Sequence, residues 1–74
     1  MNFDYSKLLG RIKECGYTQE TLADEIGMAS SSLSLKLNNR AHFKQRDIRK
    51  IANVLDLSEK EVGSYFFAEK VQKN

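Results

Sequence analysis

The absence of proline from all 74 residues is the feature that most constrains the fold, because proline is the residue that most strongly breaks helices. The four glycines are widely spaced, and the segments between them carry apolar residues at a period near 3.6. The chain contains no repeat and no low-complexity stretch. We therefore predict an all-α fold of five helices. With 41% hydrophobic residues the chain can form one small core, so residues 1–74 are expected to fold as a single domain.

The first two predicted helices have recognisable ends. The first follows Asp4, whose carboxylate can cap it, and stops at Gly16, where a helix C-terminus favours left-handed backbone. Its inward stripe is expected to contain Tyr5, Leu8, Leu9, Ile12 and Cys15. The second helix has about two turns: it begins at Thr18, whose hydroxyl can cap it, and ends before Gly27.

Three further helices complete the prediction. The third covers residues 30–38, and the fourth follows the loop at residues 41–44. The inward stripe of the fourth is expected to be Ile48, Ile51, Ala52 and Leu55. Ser58 and Glu61 form a capping box that starts the fifth, whose apolar side is Val62, Tyr65 and Phe66. Residues 68–74 lose the periodicity, and the sequence leaves open whether they fray, extend the helix or pair with another chain.

Charge is distributed unevenly along the chain. The formal net charge is only +2, but the segment from residue 36 to residue 50 carries +5, which leaves −3 for the rest. Its six basic residues are Lys36, Arg40, Lys44, Arg46, Arg49 and Lys50. A folded molecule polarised in this way favours phosphate binding. The alternative is a solvated helix face.

Residues 18–38 have the layout of a helix-turn-helix: two short helices joined by a glycine turn, the second opening in small polar residues. An ordinary helical hairpin is the alternative. If Leu33 and Leu37 face the core, the opposite face of the second helix is nearly uncharged. That face contains Ser30, Ser31, Ser32, Ser34 and Leu35. Serine has a weak helix propensity and an exposed leucine gains nothing from water, so this composition suits a DNA groove.

The predicted DNA contacts divide into two groups. The serine hydroxyls can contact base edges or phosphates, and Leu35 can contact a thymine methyl. Lys36 lies beside them and is expected to contribute. Asn38 and Arg40, where the chain leaves the helix, are placed to hold phosphates together with Lys44.

The run TQETLADEIG at residues 18–27 resembles the T-Q-E-x-L-A-x-x-x-G signature of the Cro and phage-repressor helix-turn-helix superfamily, which includes xenobiotic-response-element-type regulators. More narrowly, residues 33–39, 43–48 and 65–67 look like small Cro-like regulators of Gram-positive phages and prophages. The resemblance implies a five-helix lambda-repressor-like DNA-binding domain with the helix-turn-helix at helices 2 and 3. It also implies that Gln19 contacts phosphate and braces the recognition helix.

The chain departs from the superfamily pattern at two positions. Ala29 replaces the serine or threonine that commonly caps the recognition helix. Lys36 stands where the superfamily usually has an apolar residue, and Leu37 is apolar instead.

Tyr65, Phe66 and Phe67 are three consecutive aromatic residues, and they cannot all face inward from one helix of so small a domain. Either Phe66 fills the core while the other two cover its rim, or the triplet forms a homodimer interface. A dimer would place two recognition helices about one DNA turn apart. The resemblance to Cro-like dimers favours the second reading.

These observations predict a sequence-specific double-stranded DNA-binding regulator, a Cro-like phage repressor that occupies operators as a homodimer. The competing prediction is a protein-interaction module, such as an antitoxin-like or anti-repressor partner, whose third-helix face binds protein. The two predictions differ in whether the chain binds DNA at all. A DNA-binding regulator should also lose affinity for DNA steeply as salt is added.

Other functions have little support in the sequence. His42 is the only histidine and Cys15 the only cysteine, so we expect no metal site, no cofactor and no catalytic role. No small-molecule ligand is expected either. The chain has no run of about 18 apolar residues and no basic-then-apolar N-terminus, which predicts a cytoplasmic protein without membrane contact. The resemblance to phage regulators implies that the cell is a bacterial host.

Overall fold

The computed structural model describes residues 2–70, which form five α-helices and no strand beyond one isolated bridge. The all-α prediction is confirmed. No helix in this part of the chain is long and apolar enough to cross a bilayer. In chain order the helices are α1 (Ser6–Glu14), α2 (Gln19–Glu25), α3 (Ser30–Leu37), α4 (Gln45–Val54) and α5 (Glu59–Phe66).

Helices α1, α2 and α5 begin where the sequence supplies capping groups. Asp4 Oδ1 accepts a hydrogen bond from the Ser6 N–H at 2.9 Å, at the first turn of α1. Thr18 and Thr21 exchange side-chain-to-backbone bonds at the start of α2, with the Thr18 N–H donating to Thr21 Oγ1 at 2.8 Å. The Ser58 N–H donates to Glu61 Oε1 at 3.1 Å, which confirms the predicted capping box of α5.

Left-handed residues terminate four of the helices: Asp56, with a φ of 55°, follows α4, and the other three follow α1, α2 and α3. Gly16 has a φ of 82° after α1, and Gly27 has a φ of 71° after α2, as the sequence predicted. After α3, Asn39 takes the same role with a φ of 62°. Asparagine tolerates this region better than most residues because its short polar side chain can hydrogen-bond locally.

One apolar core joins all five helices. Its buried side chains are Tyr5, Leu8, Ile12, Leu22, Ala23, Ile26, Leu33, Leu37, Ile51, Leu55, Tyr65 and Phe66. Cys15 packs against this cluster half-buried, as predicted. The prediction for Leu9 is wrong, because its side chain is 40% exposed. The core face of α1 is narrow and lies along Tyr5, Leu8 and Ile12, and Leu9 is rotated about 100° from Leu8.

Arg11 joins α1 to the end of α4. Its Nε and Nη2 atoms both donate to the Leu55 carbonyl oxygen, at 3.1 and 3.0 Å. Leu55 follows the last residue of α4, where helix carbonyls lack partners inside the helix. The Arg11 guanidinium therefore donates hydrogen bonds to a carbonyl at the C-terminal end of α4 and also links α1 to α4.

The two ends of the described chain pair with each other. Phe3 and Glu69 form an antiparallel bridge, and the Asp4 N–H donates to the Ala68 carbonyl at 2.7 Å. The side chain of Asn39 bonds both the N–H and the carbonyl of Phe3, at 2.8 and 2.9 Å. Residues 68–70 thus pair with the chain's own N-terminal segment, which was none of the three predicted outcomes. The remainder of the predicted tail, residues 71–74, lies outside the described residues.

Candidate functional site

The helix-turn-helix consists of α2 and α3, which pack against each other through the core. The turn between them is closed by the Met28 N–H, which donates to the Ala23 carbonyl at 2.8 Å. Leu33 and Leu37 are buried beneath α3, with 0% and 7% of their surface exposed. The helix therefore presents its opposite side outward, as predicted.

The outward side of α3 is neutral and carries one large apolar side chain. Leu35 is 47% exposed. The surrounding predicted contact residues are Ser30, Ser31 and Asn38, which are exposed, and Ser32 and Ser34, which are half-buried. The Asn38 amide donates to the Ser34 carbonyl at 2.8 Å and to its hydroxyl at 3.3 Å, so it is engaged with its own helix. We call this surface, residues 30–32, 34, 35 and 38, the α3 face.

Lys36 was predicted to contact DNA, but the structure places it in an internal ion pair. Its Nζ lies 2.5 Å from Asp47 Oδ2, and the two side chains are only 13% and 11% exposed. The same Asp47 oxygen accepts the backbone N–H of Lys44 at 2.9 Å, at the start of α4. Burial raises the pKa of Asp47, but hydrogen bonds from Lys36 and Lys44 and their positive charges hold it below its ordinary value.

This pair fixes α3 to the first turn of α4. A charge that neutralises a buried carboxylate is not available to a phosphate, so the geometry does not support the predicted role of Lys36. Sequence reasoning missed Asp47 altogether. One signal in the sequence pointed to it: Lys36 stands where the superfamily pattern is apolar. A lysine that faces inward needs a buried acid as its partner.

Five exposed cations lie near this pair in the sequence. Between residues 26 and 55 the only acidic residue is Asp47. The exposed cations of the same stretch are Arg40, Lys44, Arg46, Arg49 and Lys50, and within residues 2–70 none of them forms an ion pair. Lys44, Arg46 and Lys50 line an open cleft of about 700 Å³ beside the turn that follows α2.

The exposed side of α2 has the opposite sign. Glu20, Asp24 and Glu25 are exposed there, next to Gln19. Glu20 and Asp24 line a shallow depression that also includes Ser30, at the N-terminus of α3. The α3 face therefore adjoins an acidic surface on its α2 side. The sequence analysis gave these acids no part in the site, and the resemblance implied that Gln19 contacts phosphate, which neighbouring carboxylates repel.

The structure separates the three aromatic residues that were predicted to form a dimer interface. Tyr65 and Phe66 lie in the core with 8% and 1% exposure. The ring of Phe66 packs edge-on against Phe43 at a centroid distance of 5.2 Å. Phe67 is 53% exposed. Tyr65 and Phe66 are thus buried within one chain. Of the three aromatic residues, only Phe67 has a side chain exposed enough to contact a second copy. The homodimer itself stays a prediction.

The histidine and the cysteine lie apart from each other. His42 is exposed in the loop before α4, whereas Cys15 sits with its sulfur 3.9 Å from the Leu55 carbonyl. Over residues 2–70 no three His, Cys, Asp or Glu side chains come together in a way that suits a metal ion.

Comparisons with known proteins identify a family and a similar solved structure. The model of a family described as "Protein of unknown function (DUF739)" matches residues 1–69. Among solved structures, the chain is 40% identical to the modulator of repression (MOR) of the temperate bacteriophage TP901-1 from Lactococcus lactis, known from a solution structure. The match covers 97% of both chains with a TM-score of 0.79. A search of curated proteins gives no significant match.

The prediction of a Cro-like repressor that occupies operators is wrong. The similar phage protein is a modulator of repression, and the likeness extends over almost the whole of both chains. The competing prediction, a protein-interaction module on a helix-turn-helix scaffold, agrees better with this finding. The fold was predicted correctly because the two functions share it.

Proposed function

We propose a function for this chain, which belongs to the DUF739 family: it is a phage-type regulator that binds a repressor protein through its α3 face and so modulates repression. The observation that carries the proposal is the 40% identity to the TP901-1 modulator of repression over 97% of both chains. At this level of identity and coverage, the two proteins are expected to share their mode of action as well as their fold.

The composition of the α3 face supports a protein partner. Leu35 is 47% exposed and is surrounded by serines, which add no charge to be desolvated. Covering such a leucine in an interface contributes about 1 kcal/mol, roughly half of the value for complete burial. The only cation on the helix, Lys36, is neutralised by Asp47.

The charge of α2 indicates what kind of surface the partner presents. Glu20 and Asp24 lie beside the first turn of α3 and within reach of anything that covers it. A repressor holds DNA phosphates with lysine and arginine, so its DNA-binding surface complements these carboxylates. A regulator bound there would compete with the operator for the same repressor surface.

We also infer that the scaffold is that of the Cro and phage-repressor superfamily. Support comes from the turn at Gly27, from the Thr18 cap and from the buried positions of Leu22 and Ala23, which all fall within the motif at residues 18–27. On this view the chain retains the motif because the motif builds the α3 face.

A reporter assay tests the function. Promoters controlled by a panel of helix-turn-helix phage repressors, that of TP901-1 among them, are placed before a reporter gene, and the chain is co-expressed. We expect expression to rise with at least one repressor and to remain low when the chain carries Leu35→Glu. Leu9→Glu is the matched control, because Leu9 is a similarly exposed leucine on α1.

Two results would overturn the proposal. The first is repression of a promoter by the chain alone, with no repressor present. The second is an equal effect of Leu35→Glu and Leu9→Glu, which would separate the activity from the α3 face.

A further inference from the structure

Two hollows of opposite charge adjoin at Met28, in the turn between α2 and α3. The first is the shallow depression on α2, which has Glu20 and Asp24 in its lining and no lysine or arginine. Both acids are exposed, and neither forms an ion pair within residues 2–70. The second is the open cleft beside the turn. Met28 lines both hollows, and we call them the acidic hollow and the basic cleft.

The basic cleft has positive charge that nothing in its lining neutralises. The one carboxylate there, Asp47, is already paired with Lys36. The remaining lysine and arginine residues of the lining are exposed and form no ion pair within residues 2–70; they are Lys44, Arg46 and Lys50. The charges of both hollows can therefore meet charges from outside the chain.

We propose that this surface binds a second copy of the chain, paired about a two-fold axis that passes beside Met28. A rotation about such an axis places the acidic hollow of each copy over the basic cleft of the other, so the charge contact forms twice. Met28 is half-buried and uncharged, and its flexible side chain can pack against its counterpart at the axis.

The change of sign across Met28 selects a second copy as the occupant. A partner surface of one sign is attracted by one hollow and repelled by the other. The basic surface of a repressor, for example, complements the acidic hollow only. A second copy supplies both signs at the matching separation, because it presents the same surface turned through 180°. This interface differs from the predicted aromatic one, since Phe67 lines neither hollow.

A dimer of this kind would cover part of the α3 face. Ser30 lines the acidic hollow and Ser32 lines the basic cleft, and both residues belong to that face. A chain within the dimer could not bind a repressor there, so self-association would hold the chain inactive at high concentration. This consequence rests on the proposed function, whereas the dimer does not. Self-association is measured without any repressor, so either idea can fail alone.

Sedimentation equilibrium of the full chain tests the dimer. We expect the average mass to rise from that of one chain toward that of two between about 10 μM and about 1 mM protein, because exposed ion pairs hold surfaces together weakly. The dimer should weaken when the salt concentration is raised from about 0.05 M to about 0.5 M.

Charge reversals on the two sides provide the decisive variants. Asp24→Lys lies in the last turn of α2 and Arg46→Glu in the first turn of α4, where the new charges suit the helix dipoles, so both variants should fold, which circular dichroism checks. Each alone should weaken the dimer by about tenfold or more, because every contact occurs twice. Lys60→Glu is the matched control and should leave the dimer intact: Lys60 is exposed at the second position of α5, as Arg46 is in α4, and lines neither hollow.

Mixing the two reversed chains should restore the contact. When ¹⁵N-labelled Asp24→Lys chain is titrated with unlabelled Arg46→Glu chain, opposite charges face each other again at both contacts. We expect the amide signals of Met28 and Ser32 to shift. The unlabelled Lys60→Glu chain should need about tenfold more protein for the same shift, because like charges then oppose at one contact.

Four outcomes would overturn the inference. The first is a chain that stays monomeric at about 1 mM protein in low salt. The second is an equal effect of Arg46→Glu and Lys60→Glu on the dimer. The third is a dimer that neither reversal weakens, which would assign self-association to another surface. The fourth is a mass that keeps growing beyond two copies, which would indicate open head-to-tail contacts in place of a two-fold axis.

Discussion

Removing the ammonium group of Lys36 tests whether this residue braces the fold or contacts a partner. In Lys36→Met the side-chain stem remains and the charge is lost. Asp47, which is 11% exposed, would then keep only the Lys44 N–H as a hydrogen-bond donor. Breaking a buried ion pair from one side costs about 3–5 kcal/mol, while an exposed pair contributes about 0–1 kcal/mol. Since both partners retain some contact with water, we expect a loss of about 2–3 kcal/mol in the free energy of unfolding.

Urea denaturation followed by circular dichroism measures this loss. The midpoint should fall with little change in the m-value. Adding Asp47→Asn to Lys36→Met should recover about 1–2 kcal/mol, because the uncompensated charge is then removed while an acceptor for the Lys44 N–H remains. Arg40→Met is the control: Arg40 is an exposed cation without an ion pair among residues 2–70, and its loss should cost less than about 0.5 kcal/mol.

A stability equal to that of the Arg40→Met control, combined with a loss of activity in the repressor assay, would refute this reasoning. Lys36 would then be a contact residue whose charge is free in solution.

Three other predictions concern Arg11, Asp47 and Asn39. Arg11→Ala removes both hydrogen bonds to the Leu55 carbonyl and should lower the unfolding free energy by about 1–2 kcal/mol, measured in urea. The lowered pKa of Asp47 stabilises the fold fully above its unfolded value of 3.8, and this contribution is lost as the pH falls from 3.8 through the lowered pKa. The difference in stability between the native chain and Asp47→Asn, followed from pH 6 to pH 2, should therefore shrink over that interval and not at higher pH. Asn39→Ala loses two bonds to Phe3 and places alanine at a φ of 62°, so its melting temperature should fall more than that of Asn39→Gly, which keeps the backbone conformation accessible.

The helices could be predicted because their signals are local. The spacing of Leu33 and Leu37 selects the inner side of α3, and Gly16 and Gly27 stop helices through a backbone conformation that glycine adopts without strain. Leu9 was predicted to face the core by the same reasoning, but its side chain is exposed. Periodicity tells which residues share a side of a helix, but the width of the buried stripe depends on what packs against it.

The site could be predicted only in part. The outward placement of Leu35 follows from helical geometry, whereas the pairing of Lys36 with Asp47 depends on how two helices meet across eleven positions. The function was missed for a different reason. A helix-turn-helix scaffold is compatible with binding DNA or protein, and the sequence motif encodes the scaffold.

Competition on an operator tests the central claim most directly. A fluorescently labelled operator duplex is saturated with a repressor that responds in the reporter assay, and the chain is titrated in while anisotropy is recorded. The account predicts that the chain returns the anisotropy to that of free DNA, that the Leu35→Glu variant does not, and that the chain alone leaves the duplex unbound. Salt-sensitive binding of the chain itself to the operator, with the repressor unaffected, would contradict the account.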